Sequence, residues 1–140
     1  MRRVLASFTA LVMIFSCIGM VSAAEPATDR ASLTLSRYFA ELFTGNGGGK
    51  VIVSFDVKAS KPADSVGVES IAFYTDDGKF VKSVSGSTSN RLIENNTGFH
   101  GGDFVYTLPS GDYYAEVTVF ARIGSDYDSR TVTTSTVRVS

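Results

Sequence analysis

The sequence predicts an all-β domain, an antiparallel sandwich of about seven strands, behind a removable targeting segment. Three observations predict it. Apolar side chains recur at every second position in several segments from Lys50 onward. Turn signals built from Gly, Asp, Asn and Pro interrupt those segments about every ten residues. No segment carries a helical period long enough for a βαβ unit.

The chain opens as a secretory signal. Arg2 and Arg3 precede an uncharged apolar run over residues 4–20, and Val21-Ser22-Ala23 fits a small-x-small cleavage site. Residues 1–23 are therefore expected to be a signal peptide, the run being short for a bilayer core of about 30 Å. Cys17 lies within it. Phe15 is bulky where a lipobox has a small residue, and apolar residues continue past the cysteine, so Cys17 reads as part of a discarded segment and not as a lipid attachment. Residues 24–31 contain Pro26 and read as a flexible leader, leaving 32–140 as the sandwich domain. The mature chain then has no cysteine and no disulfide, a pattern commoner in exported bacterial proteins. Removing Arg2 and Arg3 from 13 basic and 14 acidic residues leaves a charge of −3. That gives no basic footprint for nucleic acid or anionic lipid.

The elements follow in order. Residues 33–43 carry Leu35, Phe39, Leu42 and Phe43 at helical spacing, but also an alternation that slips phase near Arg37, as a β-bulge would produce. A bulged first strand is favoured over a helix because strands follow. Gly45 to Gly49 is a turn; a phosphate loop opening at Gly45 needs its second Gly at position 50, where Lys stands, and then a helix, where a strand follows. Residues 50–58 place Val51, Val53, Phe55 and Val57 on one face. Residues 59–65 hold Pro62 and read as a loop, and 66–74 as a strand. Asp76-Asp77-Gly78-Lys79 reads as a type I′ hairpin turn to a strand at 80–84. Residues 85–97 read as a long loop or a frayed edge strand, 104–108 as a short strand, and 113–122 as an alternating strand. A polar loop at 123–129 and a Thr- and Val-rich strand at 130–139 complete the chain.

One motif refines the class. Leu108-Pro109-Ser110-Gly111-Asp112-Tyr113 resembles the turn into strand F of immunoglobulin-like domains, where a tyrosine hydroxyl bonds back to upstream backbone. Leu108, Gly111 and Tyr113 would form this tyrosine corner, although Tyr114 fits the Leu-to-Tyr spacing of fibronectin type III domains. No Trp is present for the strand-C core position, so the resemblance is to the architecture and not to antibody domains. Gly67-Val68 with Ile71, the run from Tyr113 to Ala121, and the run from Asp128 to Thr134 make the chain resemble a family of small exported proteins of unknown function from Gram-positive bacteria. That resemblance spans most of the chain after Arg30 and implies no activity.

Little in the chain carries chemistry. His100 is the one histidine, sits in Phe99-His100-Gly101-Gly102, and has no nucleophile elbow to serve, so a hydrolase centred on it is the least favoured reading. Asp126 and Asp128 flank Tyr127 in what reads as a loop at the same end as Asp64; these three are the calcium candidates, although no ordered ligand pattern accompanies them. No cofactor is expected. Tyr74, Tyr114 and Phe120 are expected to project from the outer faces and offer a binding surface. The sequence thus points to a secreted, non-enzymatic module that binds a protein or a glycan. The competing reading is a secreted structural or effector protein with no small ligand. Neither the partner nor the oligomeric state is encoded legibly.

Overall fold

The computed structural model describes residues 34–140. The signal peptide expected at 1–23, Cys17 within it, the leader at 24–31 and the first two residues of the domain lie outside the described residues. The described residues form seven antiparallel strands and no helix: β1 (Leu35–Thr44), β2 (Lys50–Thr75), β3 (Phe80–Ser85), β4 (Ile93–Thr107), β5 (Gly111–Ile123), β6 (Asp126–Thr133) and β7 (Val137–Val139).

The architecture follows from β2. It is 26 residues long. Straight, at a rise of about 3.3 Å per residue, it would span roughly 86 Å, several times the radius of about 13 Å expected of a domain this size. It curls instead. Its first half lies between β1 and β4, and its second half between β5 and β3. β6 and β7 both add to the far edge of β5. Val51 and Phe73, near opposite ends of the same strand, are buried in one hydrophobic core. The Phe73 ring stacks on Tyr106 of β4 at 5.2 Å, and Tyr106 is the partner of Val51. The sheet therefore closes over itself.

The residues expected at 59–65 as a loop continue β2. The ladders carry the bend: pairing with β4 jumps from Lys58 to Ala63, and pairing with β1 ends at Ala59. Pro62 sits in this gap, where a missing N–H costs no ladder bond. A second irregularity at Glu69, opposite Val119 and Thr118 of β5, shifts the buried phase from Val66 and Val68 to Ile71 and Phe73. Residues 33–43, open between helix and strand, form β1 from Leu35 onward, and its register shifts between Leu35 and Arg37.

Four further expectations need correcting. Residues 93–97, left open between a long loop and a weak edge strand, and 104–107 of the short strand read at 104–108 belong to the single strand β4, because β2 offers a ladder long enough to order both. The polar loop at 123–129 is a two-residue turn at Gly124-Ser125, so Asp126 and Asp128 lie on β6. The strand at 130–139 is interrupted. Thr134 is buried at the interruption, and its backbone N–H and hydroxyl bind the carbonyl and N–H of Ala115 at 2.9 Å each. The turn after β2 is not type I′ either: Gly78 (φ 92°) alone among its residues has positive φ, and its N–H donates to the Thr75 carbonyl.

At the β4–β5 turn, Leu108 is buried and Gly111 starts β5 at φ 154°. Tyr113 is buried, and its hydroxyl donates to the Pro109 carbonyl at 2.8 Å. Tyr114, the alternative, points to the opposite face. Tyr113→Phe removes the donor and keeps the ring. The variant is expected to lose about 1 kcal/mol in chemical unfolding, with a fall in Tm of roughly 4–8 °C. An unchanged Tm would show that the bond is not formed.

Candidate functional site

The curled sheet has two outer faces, one on each half of β2. On the second half, alternation along β5 sends Tyr114, Glu116, Thr118 and Phe120 outward, and pairing sets Tyr74 opposite Tyr114. The two tyrosine rings stack at 5.4 Å and 14°, and Phe80 of β3 meets Tyr74 edge-on at 5.8 Å. The three rings form a ladder across β3, β2 and β5. Because the tyrosines cover one another's faces, the ladder offers ring edges and hydroxyls outward.

Burial and the neighbouring Glu116 carboxylate, which accepts its hydrogen bond, raise the Tyr74 phenol above its ordinary value of 10.0. A group held protonated more tightly in the native state contributes stability that is present below its unfolded pKa and lost as pH rises through the native value. Stability is therefore expected to fall above about pH 10, and Tyr74→Phe is expected to flatten that fall in unfolding experiments. An identical alkaline slope in the variant would refute the assignment.

Phe120 is not available. It points outward as expected but is 5% exposed, because Tyr127 of β6 stacks on it at 5.9 Å. The Arg122 guanidinium lies 4.9 Å from the Tyr127 ring centre, and the Tyr127 hydroxyl is hydrogen-bonded to Glu69. The β5–β6 turn is short enough to bring Tyr127 back over its neighbour, which a longer loop would not do.

The carboxylates are dispersed. Asp64 does face the β5–β6 turn, where it accepts the Gly124 N–H at 2.8 Å. Asp128 is paired with Arg130, and Asp126 is exposed at the start of β6. Among the described residues, no three His, Cys, Asp or Glu side chains come together. His100 lies on β4, with its Nε2 2.7 Å from the Arg91 carbonyl and its ring edge-on to Phe55 at 5.3 Å. At the other end of the domain, a shallow cleft is lined by Ser110, Gly111, Asp112, Arg138, Val139 and Ser140. Its two charged side chains pair with each other, Arg138 donating to both Asp112 oxygens at 2.8 and 2.9 Å.

The outer face of the first half is the feature missed from the sequence. Outward positions of β1, β2 and β4 align in rows. Phe43, Ile52 and Val105 form one row. Phe39, Asp56 and Gly101 form another, and the Phe99 ring lies over Gly101. Val105 is 54%, Phe39 51%, Phe43 49% and Phe99 48% exposed. Scattered exposed apolar residues are ordinary, but four share one face of three strands here, in two groups separated by the row Glu41, Ser54 and Asp103. Asp56 within this face pairs with Arg37 at 3.4 Å. The signal was present: Phe39 and Phe43 lie four apart, which is one face of a strand as well as of a helix.

The chain matches no family model, no curated protein and no solved structure. Geometry alone therefore bears on function.

Proposed function

We propose that the chain is a secreted, non-enzymatic binding module that engages a protein partner at or outside the cell envelope through the outer face of β1, β2 and β4. In this reading the signal peptide is removed after Ala23, the fold is an immunoglobulin-like sandwich, and the relatives are small exported proteins of Gram-positive bacteria. Support for the sandwich type comes from the Tyr113–Pro109 hydrogen bond and from the two halves of β2 lying across one core. The observation that carries the function is the exposed set Phe39, Phe43, Phe99 and Val105. These side chains have no polar atoms to bind a sugar hydroxyl, and they suit a protein surface.

The second reading, a glycan ligand, is favoured by one observation: Glu116 sits beside the Tyr74 hydroxyl, so a carboxylate adjoins aromatic rings. The test is retention on the envelope fraction of the producing cell, alongside a glycan array. Phe39→Ser/Phe43→Ser is expected to weaken retention at least about tenfold, equivalent to about 1.4 kcal/mol, while Tyr74→Ser leaves it intact. Array binding lost in Tyr74→Ser would favour the glycan reading. No retention and no array binding would favour the structural or effector reading.

A further inference from the structure

β4 is an edge of unusual length. It pairs with β2 on one side and with no strand on the other among the described residues. The Lys and Pro that natural edges most often carry against partners are absent, Asp103 is the one charged side chain between residues 95 and 107, and the ladder irregularity lies at the 97 end: β4 reads Ile-Glu-Asn-Asn-Thr-Gly-Phe-His-Gly-Gly-Asp-Phe-Val-Tyr-Thr. By contrast, the β1 side is approached by β5, β6 and β7, and Glu41 of β1 accepts the Ser135 N–H at 2.9 Å.

The direction of the free backbone groups is set by the bonds at the ends of the strand. Leu108 donates its N–H to Gly49, and Leu92 accepts from Val68. Even-numbered positions therefore face β2, and alternation leaves the N–H and C=O groups of odd-numbered positions facing outward. At Phe99, the Thr97 hydroxyl touches both at 3.4 and 3.3 Å, long contacts that a strand would replace.

The side chains are self-complementary about Gly102. We propose that β4 pairs antiparallel with β4 of a second copy of this chain, with the two-fold axis passing at Gly102, so that two three-stranded faces join into one. In this register Phe99 of each copy meets Val105 of the other, Gly101 meets Asp103, and Thr97 meets Thr107, an aromatic with β-branched pair and a Thr–Thr pair of the kind that stabilise sheets. The half-buried His100 and Phe104 meet on the inner face. Odd positions meet odd positions, as the outward backbone groups require. The neighbouring registers are worse. A centre at Gly101 sets Phe99 against Asp103, and a centre at Asp103 sets two like charges face to face. The seam would run over residues 97–107, and it follows the isologous rule that contacts are made twice. It shares Phe99 and Val105 with the face proposed above for an envelope partner but does not require that partner.

The test is the mass of the protein by sedimentation equilibrium over a wide concentration range. Twice the chain mass is expected for the native protein, and a single-copy mass for Val105→Lys with an unchanged circular-dichroism spectrum. Val105 is exposed in the single copy, so that substitution does not disturb the core. In a Cys17→Ser background, mixing Phe99→Cys with Val105→Cys is expected to give an interchain disulfide, since paired residues lie about 5.5 Å apart and within bridging range. Val105→Cys alone is expected to give none. A single-copy mass at every concentration, a Val105→Lys protein of doubled mass, or crosslinking of Val105→Cys with itself at the same rate would overturn the proposal. Loss of envelope retention with the dimer intact would count only against the partner.

Discussion

Phe73→Ala is expected to destabilise the domain by about 3–5 kcal/mol, the range for deleting a buried aromatic and leaving a cavity. Phe73 is fully buried. It comes from the second half of β2, and its ring stacks on Tyr106, which pairs with the first half. The ring therefore ties together both halves of the curled sheet, and its loss is not absorbed by one layer alone. Domains of this size are stable by about 5–15 kcal/mol in total, so the loss is a large fraction. Urea unfolding followed by circular dichroism or tyrosine fluorescence reads the effect, since the chain has no Trp and six Tyr. Phe80→Ala is the control. Phe80 is 56% exposed, and its loss is expected to cost under about 1 kcal/mol. Equal midpoints for the two variants would contradict the packing described.

Gly67→Ala is expected to be as severe, by a different route. Gly67 lies where β2 is paired on both sides, with Ile93 of β4 and Phe120 of β5. Its φ of 145° is one that side chains rarely adopt, and a Cβ there would lie 2.1 Å from the Leu92 carbonyl oxygen. That oxygen already accepts the Val68 N–H at 2.7 Å, so it has no direction in which to retreat without breaking a bond. Strain and overpacking together predict a loss of roughly 3–5 kcal/mol. Gly78→Ala separates the two causes. Gly78 has φ 92° but nothing within 4 Å of the added carbon, so it should show the strain alone, about 1 kcal/mol. A Gly67→Ala protein as stable as Gly78→Ala would mean that the chain does not approach β2 so closely at Leu92.

The parts legible in the sequence were those where period and burial coincide. Val51, Val53, Phe55 and Val57 on one face, and Tyr113, Ala115, Val117 and Val119 on another, are buried as their alternation requires. The slip near Arg37 appears as a register shift, because an extra residue is the one way a strand changes phase while staying paired. The continuity of β2 was hidden by Ser60, Lys61, Pro62 and Asp64, which read as a loop but sit at the bend where the ladders are interrupted. β4 was hidden by its Asn and Gly content. Its order comes from β2 beside it and not from its own propensity.

The candidate site was legible only in part. Tyr74 and Tyr114 face outward together, as alternation predicts. Phe120 was misjudged because alternation gives direction and not cover, and the cover comes from Tyr127 on the next strand. The exposed face of Phe39, Phe43, Phe99 and Val105 was missed because it draws on three strands whose alignment depends on register. Register is a property of pairing, invisible to any one segment.

The curled β2 is the centre of this account, and a nuclear Overhauser contact between the aromatic rings of Phe73 and Tyr106 tests it most directly. A ring-to-ring cross-peak is predicted, together with contacts from both rings to the buried valines of the core. A Phe73 ring in contact only with residues of its own half of the sheet, with Tyr106 facing solvent, would contradict it.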